Sequence, residues 1–382
     1  MIVFLHNRYR STGGEERAVE DFAWLVRERL GEPVELLSRD SLAVARTRAA
    51  AGLLRGGLEP AEVAAAVRTT RARVVHAHNL QPTFGWRALA AARAEGARVV
   101  LHLHQYRLVC AVGVCFTRGA QCTRCHGRNT LPGVLRNCRG SRAQALAYGA
   151  GLALWQRRTI EQADALIVPS VFARERLREL GAPLPWERVH VLAPPVRALE
   201  ADPAPVGPDA PLPPYALVVS RLSAEKGVDV AIDACRRAGI ALVVAGDGPE
   251  RLSLQARAGG ADVRFVGQID ETRLTQLRSR ATLALVPSRS AETFGLAAAE
   301  AMAVGLPVAA SRIGALPELV GEDGLVEPGD AAALAAAIER LREDPAARER
   351  VRARVRAKCA PEIVARGLAE VYGDAAAENL DC

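Results

Sequence analysis

The chain has few aromatic side chains, almost no lysine and no long apolar run. Aromatic residues make up 4% of its 382 residues, and two lysines stand against 48 arginines. No apolar run reaches the roughly 18 residues of a membrane-spanning helix. The run that opens the chain, MIVFLH, is too short for a signal peptide and has no cleavage site after it. We therefore expect a cytoplasmic protein whose eight cysteines are thiols or metal ligands rather than disulfides.

Length and charge divide the chain into two parts. A chain of 382 residues, 49% of them hydrophobic, is long enough for two domains. Residues 1–196 hold 28 arginines, no lysine and 16 acidic residues, a net charge of +12, whereas residues 197–382 carry about −5. Ten arginines and no carboxylate lie between Glu95 and Glu161. The first part is therefore suited to phosphate, an acidic saccharide, a membrane surface or nucleic acid, the alternative being arginines on merely solvated faces.

Short apolar runs alternate with helical segments along the chain, among them RVVHAH, RVVLHLH, YALVVSR and TLALVPS. Apolar strands between helices indicate parallel sheets covered on both faces. Ligands of such sheets bind beyond the carboxyl ends of the strands, which predicts a cleft between two domains. We predict a doubly wound α/β domain with a cysteine-rich insertion, a linker, a second such domain, and a C-terminal helix and tail. The first domain spans residues 1–196, with the insertion at 110–140, and the linker spans 197–213. The second domain spans residues 214–358, and the C-terminal helix and tail span 359–382.

The stretch SRSAETFGLAAAEAMAVGLPV places two carboxylates around the predicted start of a helix near Gly295. The N-terminal amides of this helix would form a site for phosphate or another anion. Glu292 lies on the loop before it and Glu300 about 1.5 turns along it, within reach of ligand hydroxyls. A favourable interaction of its negative charge with the helix dipole would be enough to explain the position of Glu292. It does not explain Glu300, which lies among alanines and a methionine and needs a partner.

This stretch resembles the Glu-x7-Glu motif of retaining glycosyltransferases of family 4. The similarity continues in VVSRLSAEKGVDVAIDA, VVAGDGPE, VRFVGQI and GALPELV, which together span nearly the whole second domain. The resemblance implies two Rossmann-like domains facing across a cleft, the GT-B arrangement, with a C-terminal helix that crosses back to the first domain. It makes the first domain the acceptor-binding one and the second the nucleotide-sugar-binding one.

The resemblance also implies a role for the matching residues of the second domain. Arg221 and Lys226 would bind the donor diphosphate and stabilise the leaving charge, Glu292 would hold the donor sugar, and Glu300 would bind the ribose. Lys226 is one of only two lysines, which indicates a position where a compact ammonium is required, unless a surface lysine survived by chance. The other nucleotide-sugar contacts are expected from Gly246, Gly248, Pro249, Val266, Phe294, Gly295 and Leu296.

In the first domain, Gly13 and Gly14 precede a helical segment, a layout that brings backbone amides to a phosphate. The resemblance places Gly14 at the donor phosphate. It places Gly13 and the carboxylates of Glu15 and Glu16 at the mouth of the acceptor site.

Three histidines of the first domain, His76, His78 and His104, lie at the ends of predicted strands, where side chains reach the cleft, although core histidines are common. The stretch LHQYRLVC is similar to the LHNYRL segment of the family, with Gln105 in place of the usual asparagine. This similarity favours His104 as a catalytic or acceptor contact. His78 is kept as an acceptor candidate and His76 as a residue of the cleft.

Five of the eight cysteines lie within the insertion. Cys122 and Cys125 have the spacing of a metal knuckle, and Cys138 with either Cys110 or Cys115 would complete four ligands; His126 is a spare candidate. The resemblance favours a structural zinc, with Cys115 as the alternative ligand. The ligands it favours are Cys110, Cys122, Cys125 and Cys138. Buried reduced thiols are the other interpretation, and nothing in the sequence supports a catalytic zinc.

No Asp-x-Asp pair ends a predicted strand, so we expect no cofactor metal at the donor diphosphate. Positive charge and amide groups would instead stabilise the leaving diphosphate. The resemblance implies retention of the anomeric configuration. Since no residue must act as a covalent nucleophile, we expect front-face substitution.

The expected donor is a UDP-sugar, with GDP-mannose next, and the acceptor is a glycan, a lipid-linked or a small natural-product molecule. The arginine-rich domain leaves open a peripheral contact with an anionic membrane at its inner face. The rival functions are a sugar-nucleotide epimerase on the same fold, a degenerate transferase that only binds, and a basic zinc-containing nucleic-acid-binding protein. Few aromatic residues argue against the last, so we expect no nucleic-acid partner.

Overall fold

The computed structural model describes residues 1–9, 13–200, 214–344 and 346–373. The predicted linker from residue 201 and the predicted tail from residue 374 lie outside this part of the chain. Cα packing divides the chain into two compact units. Unit 1 consists of the described residues within 1–117 and 122–195 and of the segment that begins at Pro361, and unit 2 consists of those within 118–121 and 196–360.

Unit 1 is built on a six-stranded parallel sheet. Its strands are β1 (Ile2–Arg8), β2 (Val34–Asp40), β3 (Val74–Ala77), β4 (Arg98–His102), β7 (Ala165–Val168) and β8 (Val189–Val191), and the two-residue strands β5 (Phe116–Thr117) and β6 (Ala120–Gln121) lie in the cysteine-rich segment. The strand order is β2-β1-β3-β4-β7-β8. Every adjacent pair is parallel, as in β1 with β3, where Phe4 lies beside His76.

Helices cover both faces of this sheet. The side chains of β1 alternate between the two apolar layers that these helices form with the sheet. The helices are α1 (Gly14–Arg29), α2 (Arg46–Arg55), α3 (Pro60–Thr70), α4 (Gly85–Ala94), α5 (Leu131–Leu135), α6 (Arg142–Glu161) and α7 (Val171–Glu179). Val3 and Leu5 belong to the layer that includes residues of α3, α4 and α7. Ile2 and Phe4 belong to the layer that includes residues of α1. Strands buried on both faces account for the nearly continuous apolar runs in the sequence.

Unit 2 repeats the same architecture. Its strands are β9 (Tyr215–Val219), β10 (Ala241–Ala245), β11 (Val263–Gly267), β12 (Leu283–Val286), β13 (Val308–Ser311) and β14 (Leu325–Val326). They are all parallel, in the order β11-β10-β9-β12-β13-β14. The helices are α8 (Val228–Ala238), α9 (Arg251–Arg257), α10 (Glu271–Arg280), α11 (Leu296–Ala303), α12 (Leu316–Leu319), α13 (Ala331–Arg342) and α14 (Ala347–Cys359). The prediction of two doubly wound α/β domains is confirmed.

The last helix, α15 (Pro361–Tyr372), belongs to unit 1. Its apolar side Val364, Leu368 and Tyr372 joins the layer under α1. The backbone carbonyl of Val371 accepts a hydrogen bond from Arg98 Nε at 3.0 Å. Among the described helices of both units, none has the length and apolar content that crossing a bilayer requires.

Candidate active-site residues in each unit

The candidate residues of unit 2 lie at the carboxyl ends of neighbouring strands. Arg221 and Lys226 follow β9, Gly246 and Gly248 follow β10, and Glu292 follows β12. Because all strands of the sheet run in one direction, these loops share one edge of the sheet, which is where open parallel sheets bind ligands. The structure therefore brings the predicted diphosphate, nucleotide and sugar contacts of unit 2 to the same edge.

Lys226 and Glu292 form an ion pair at this edge. Lys226 Nζ lies 2.7 Å from Glu292 Oε1, and the Ser288 hydroxyl donates to the same oxygen at 2.5 Å. The backbone of Glu292 is fixed by Gly314, where φ is +62° and an added Cβ would lie 2.3 Å from the Glu292 nitrogen. Only glycine fits at position 314 without strain, so the GALPELV loop, which contains Gly314, packs directly against the Glu292 backbone.

Arg221 is held by a short-range network on its own loop. It contacts the Glu225 carboxylate and donates from Nε to the Ser223 hydroxyl at 3.3 Å, and Ser223 donates to Glu225 at 2.7 Å. Burial alone would raise the pKa of Glu225, but hydrogen bonds from Ser223 and Arg221 outweigh it and hold that pKa below its ordinary value. The Arg221 side chain is 47% exposed and has five N–H donors, so it keeps donors for an anionic ligand.

Glu300 has a partner that the sequence analysis missed. Its carboxylate forms a buried ion pair with Arg278, whose side chain is 3% exposed. Arg278 also lies 3.4 Å from Glu271. Arg278 lies on α10 four residues after the buried Leu274, so both side chains are on the core-facing side of the helix. This spacing is the feature of the sequence that could have indicated a buried arginine. Binding of ribose by Glu300 remains a prediction, now with one side of the carboxylate held by Arg278.

The other predicted nucleotide contacts of unit 2 are placed around these groups. At Gly246 φ is +129° and an added Cβ would lie 1.9 Å from the Ser220 carbonyl oxygen, so a side chain cannot be accommodated. Gly295 precedes α11 and Leu296 is its first residue, as the predicted helix start requires. Pro249 is exposed, Val266 is half-buried within β11, Phe294 is buried, and Gly248 abuts the Leu222 carbonyl.

In unit 1, Glu15 is the centre of a hydrogen-bonded group at the end of β1. The Tyr9 hydroxyl donates to Glu15 Oε2 at 2.6 Å and Gln105 Nε2 donates to it at 3.1 Å. The Arg107 guanidinium lies 4.5 Å from the centre of the Tyr9 ring and donates to Gln105 at 3.1 Å. Burial raises the pKa of Glu15, against the opposing effects of Arg107 and of the hydrogen bond from Tyr9. Tyr9 and Arg107 were not predicted, although Arg107 lies inside the LHQYRLVC stretch.

The Glu16 carboxylate accepts hydrogen bonds from two backbone amides. Its Oε2 accepts from the Gly13 amide at 2.9 Å and its Oε1 accepts from the Tyr9 amide at 2.9 Å. The bond from the Gly13 amide is the glutamate half of a capping box at the start of α1. The expectation that Glu16 lies at the acceptor mouth remains a prediction, while Gly13 and Gly14 are exposed at the helix start.

The histidines of β3 and β4 form a compact array. His76 Nε2 lies 3.3 Å from His102 Nδ1, and His78 Nδ1 lies 2.8 Å from His104 Nε2. The two pairs stack, with ring centroids 4.3 Å apart for His76 and His78 and 4.0 Å apart for His102 and His104. Tyr372 closes one end at 2.8 Å from His76 Nδ1. Burial lowers the pKa of His76 and of His104 to about 3, so the rings are neutral.

The cysteine-rich segment brings Cys115 close to Cys110, whereas Cys138 lies 3.5 Å from the Thr117 hydroxyl. A hydrogen bond from Cys115, followed by backbone amides, lowers the pKa of Cys110 to about 6 against its burial. Among the described residues, the set of three metal-binding side chains with ligand atoms within 4.8 Å is His76, His78 and His102, and the cysteines form no such set. The zinc site therefore remains a prediction.

A pocket in unit 1 extends from this polar group into the space between helices. It holds about 810 Å³ of empty space, its open mouth included. Glu15, His78, His104, Gln105 and Arg107 line it on one side. Residues of α2, α4 and α6 line the other side. The predicted acceptor residues Glu15, His78 and His104 thus share one pocket.

Two parallel α/β units, each with its candidate residues at one end of its sheet, define a fold of two Rossmann-like domains. Two protein-family models match the chain: Glycosyl transferase 4-like domain over residues 12–195 and Glycosyl transferases group 1 over residues 208–358. A glycogen synthase of Mycobacterium tuberculosis is 41% identical over 176 residues, 42% of this chain and 42% of that protein. These findings support a glycosyltransferase of the group 1 and 4-like type.

A second relative in the same species is GDP-mannose-dependent alpha-(1-6)-phosphatidylinositol dimannoside mannosyltransferase, 39% identical over 145 residues, 36% of this chain and 38% of that protein. The matches thus span less than half the length of these curated relatives. The solved structure of Anabaena Alr3699/HepE in complex with UDP and glucose matches with a TM-score of 0.65 and 19% identity, covering 98% of this chain and 99% of that one. That likeness shows the fold.

Proposed function

We propose that the protein is a retaining glycosyltransferase that moves a sugar from a nucleoside-diphosphate sugar to an acceptor hydroxyl. The observation that carries the proposal is the edge of unit 2, where Arg221, Lys226 and Glu292 follow adjacent parallel strands and Lys226 pairs with Glu292. The two family models and the relatives support the same reaction class. UDP-sugar is the favoured donor and GDP-mannose the next, since relatives or neighbours of both kinds exist.

In the proposed reaction, the bond from the anomeric carbon to the diphosphate breaks and a bond from that carbon to the acceptor oxygen forms on the same face. The acceptor proton passes to the departing phosphate oxygen, so no protein base is needed. Arg221 and Lys226 stabilise the charge that develops on the diphosphate, and no cofactor metal is required in this scheme. Glu292 orients the donor sugar, and Glu300, held by Arg278, binds the ribose.

The outer face of α6 supports a contact of unit 1 with an anionic membrane. Leu146 and Leu154 are 61% and 57% exposed on this helix. Arg142, Arg157 and Arg158 lie exposed beside them, and Glu161 is the one acid of the helix. Apolar side chains with flanking arginines bind anionic lipid surfaces. Co-sedimentation with phosphatidylglycerol vesicles, but not with phosphatidylcholine vesicles, is expected, and Leu154→Ser should weaken it.

Calorimetric titration with UDP, GDP, ADP and dTDP in EDTA tests the donor side. One nucleotide should bind the wild type, and Arg221→Ala should weaken that binding by about tenfold or more. Arg237→Ala is the matched control, because Arg237 is an exposed arginine of α8. Equal binding by Arg221→Ala and wild type would contradict the assignment. A product formed from the donor without any acceptor would favour the epimerase alternative.

A further inference from the structure

The pocket of unit 1 is polar at one end and apolar at the other. The polar end contains Glu15, which lies beside Gln105 and Tyr9. The apolar end is lined by leucine, proline and tryptophan side chains of α2, the segment before α4, α4 itself and α6. These side chains are Leu53, Leu80, Pro82, Trp86, Leu152 and Trp155. The acceptor residues of the proposed function are therefore continuous with an apolar space that the transfer reaction itself does not explain.

Two glycines allow the backbones of the segments around this space to pack directly against each other. An added Cβ at Gly52 would lie 2.4 Å from the Pro82 carbonyl oxygen, and one at Gly151 would lie 2.8 Å from the Leu53 carbonyl oxygen. Such contacts leave no room for side chains between α2, α6 and the segment at Pro82. The walls therefore cannot separate without breaking the packing, so the pocket suits a compact molecule better than a long chain.

Three lining side chains carry a buried polar atom without a hydrogen-bond partner in the protein. These atoms are His78 Nε2, Gln81 Oε1 and Trp86 Nε1. A buried polar atom without a partner costs about 1–3 kcal/mol, so a ligand group could compensate where the side chain turns toward the pocket. His78 and Gln81 lie in the loop after β3.

The tryptophans give the apolar end flat surfaces. The Trp86 and Trp155 ring centroids are 5.8 Å apart, and Arg158 lies 5.2 Å and 5.3 Å from them. Trp155 is also fixed by its Nε1, which donates to the Leu54 carbonyl at 3.0 Å. Fixed indole faces favour a planar ring, which stacks with little loss of conformational freedom.

We propose that this pocket binds the non-sugar body of the acceptor, a compact and largely apolar ring system with a few hydrogen-bonding substituents. This inference rests on the proposed function, because it takes Glu15 as the acceptor end of the pocket. A glycan would lose hydration of its hydroxyls against leucine and tryptophan walls. A hydrocarbon chain would leave the three polar atoms without partners. A ring system meets both requirements and presents its hydroxyl toward Glu15.

Equilibrium dialysis with 2-naphthol, a flat ring with one hydroxyl, tests the proposal, with geraniol and methyl glucoside as the chain and sugar probes. Leu53→Trp fills the pocket and should weaken 2-naphthol binding by at least about tenfold. Leu54→Trp is the matched control, because Leu54 is the next residue, is 45% exposed and does not line the pocket. It should change binding by less than about twofold. Trp155→Ala, which removes one stacking surface, should weaken binding as well.

Tighter binding of geraniol or methyl glucoside than of 2-naphthol would overturn the proposal, as would equal 2-naphthol binding by Leu53→Trp and the wild type. Nucleotide binding, measured on the same variants, separates the two hypotheses and reports whether unit 2 is intact. Nucleotide binding without 2-naphthol binding contradicts the pocket proposal alone. Failure of the wild type to bind any nucleotide contradicts the proposed function on which it rests.

Discussion

The Lys226 ammonium lies 2.7 Å from a Glu292 carboxylate oxygen. Two residues separated by 66 positions in the sequence thus meet at the end of the unit 2 sheet. The side chains of Lys226 and Glu292 are 27% and 16% exposed, so both are mostly but not fully buried. A donor diphosphate would offer Lys226 a second anionic partner and release Glu292 toward the donor sugar. In the proposed function, the pair would therefore link the binding of the diphosphate to the position of the sugar.

Replacing Lys226 by alanine should lower kcat/KM by about 10²–10³-fold, because one preorganised positive group at the leaving diphosphate is lost. Lys226→Arg should not restore the rate, since a planar guanidinium does not replace a compact ammonium at this position. Steady-state kinetics of sugar transfer measures both. Lys358→Ala, at the other lysine and exposed on α14, is the control. A Lys226→Ala enzyme with wild-type kcat/KM would refute this role.

Removing Arg278 should destabilise unit 2, because Glu300 would keep a buried charge without its main partner. The expected loss for Arg278→Leu is about 3–5 kcal/mol in the free energy of unfolding, and Arg278→Leu with Glu300→Leu should recover most of it. Urea unfolding followed by circular dichroism measures this loss. All four tryptophans lie in unit 1, so their fluorescence transition should stay unchanged. Arg312→Ala breaks an exposed pair and should have little effect. An equally small effect of Arg278→Leu would contradict the account.

The stability of unit 1 should fall as the pH is lowered from 6.5 toward 3. His76 has a pKa of about 3 in the folded chain and an ordinary value near 6.5 when unfolded, so the unfolded chain binds the proton first. Its contribution is complete above pH 6.5 and decreases by about 1.4 kcal/mol per pH unit below it. Urea titrations followed by tryptophan fluorescence should show a shallower pH dependence for His76→Leu than for the wild type. His126→Leu, at an exposed histidine, should keep the wild-type slope; equal slopes for all three proteins would exclude the effect.

The neighbours Glu15 and Glu16 should have separable effects. Glu15→Ala should raise the KM for the acceptor and leave nucleotide affinity unchanged, because Glu15 lines the pocket of unit 1. Glu16→Ala should instead lower the stability of unit 1 by about 0.5–2 kcal/mol, since it removes the side-chain acceptor of the Gly13 amide at the start of α1. Acceptor kinetics and tryptophan-monitored unfolding measure the two effects. The reverse pattern would contradict the assignment.

The zinc prediction is tested by metal analysis of the purified protein. One zinc per chain is expected, held by thiolates of the insertion, and Cys125→Ser should lose it. Cys235→Ser is the control, because Cys235 is buried in α8 of unit 2. Comparison of Cys110→Ser with Cys115→Ser identifies the fourth ligand, and the proximity of Cys115 to Cys110 makes that comparison informative. Metal-free wild-type protein would leave buried thiols as the interpretation.

The strand and helix pattern predicted the fold because buried parallel strands have a distinct sequence pattern. The runs MIVFLH and TLALVPS correspond to β1 and β12, and the helix expected near Gly295 begins at Leu296. The sequence pattern did not single out α2, α3 or α6, and α6 has weak polarity contrast between its faces. Of these helices, α2 and α6 line the apolar end of the pocket, so that end was also missed.

Long-range partners could not be read from spacing. Arg278 and Glu300 lie 22 positions apart on different helices, and Tyr372 meets His76 from 296 positions away. Each of these pairs depends on how the helices pack onto the sheet. The contact of Glu16 with the Gly13 amide is the opposite case, since a glutamate three residues after the residue before a helix is a capping position visible in the sequence.

The most direct test of the central claim is the product of a single reaction. The protein is incubated in EDTA with UDP-glucose and with GDP-mannose, each with 2-naphthol as acceptor, and proton and phosphorus NMR follow the anomeric signal and the released nucleotide. The account predicts release of one nucleoside diphosphate and a new α-linked product, matching the α configuration of the donor. A product of inverted configuration, or a product that forms only after a divalent cation is added, would contradict a retaining, metal-independent transferase.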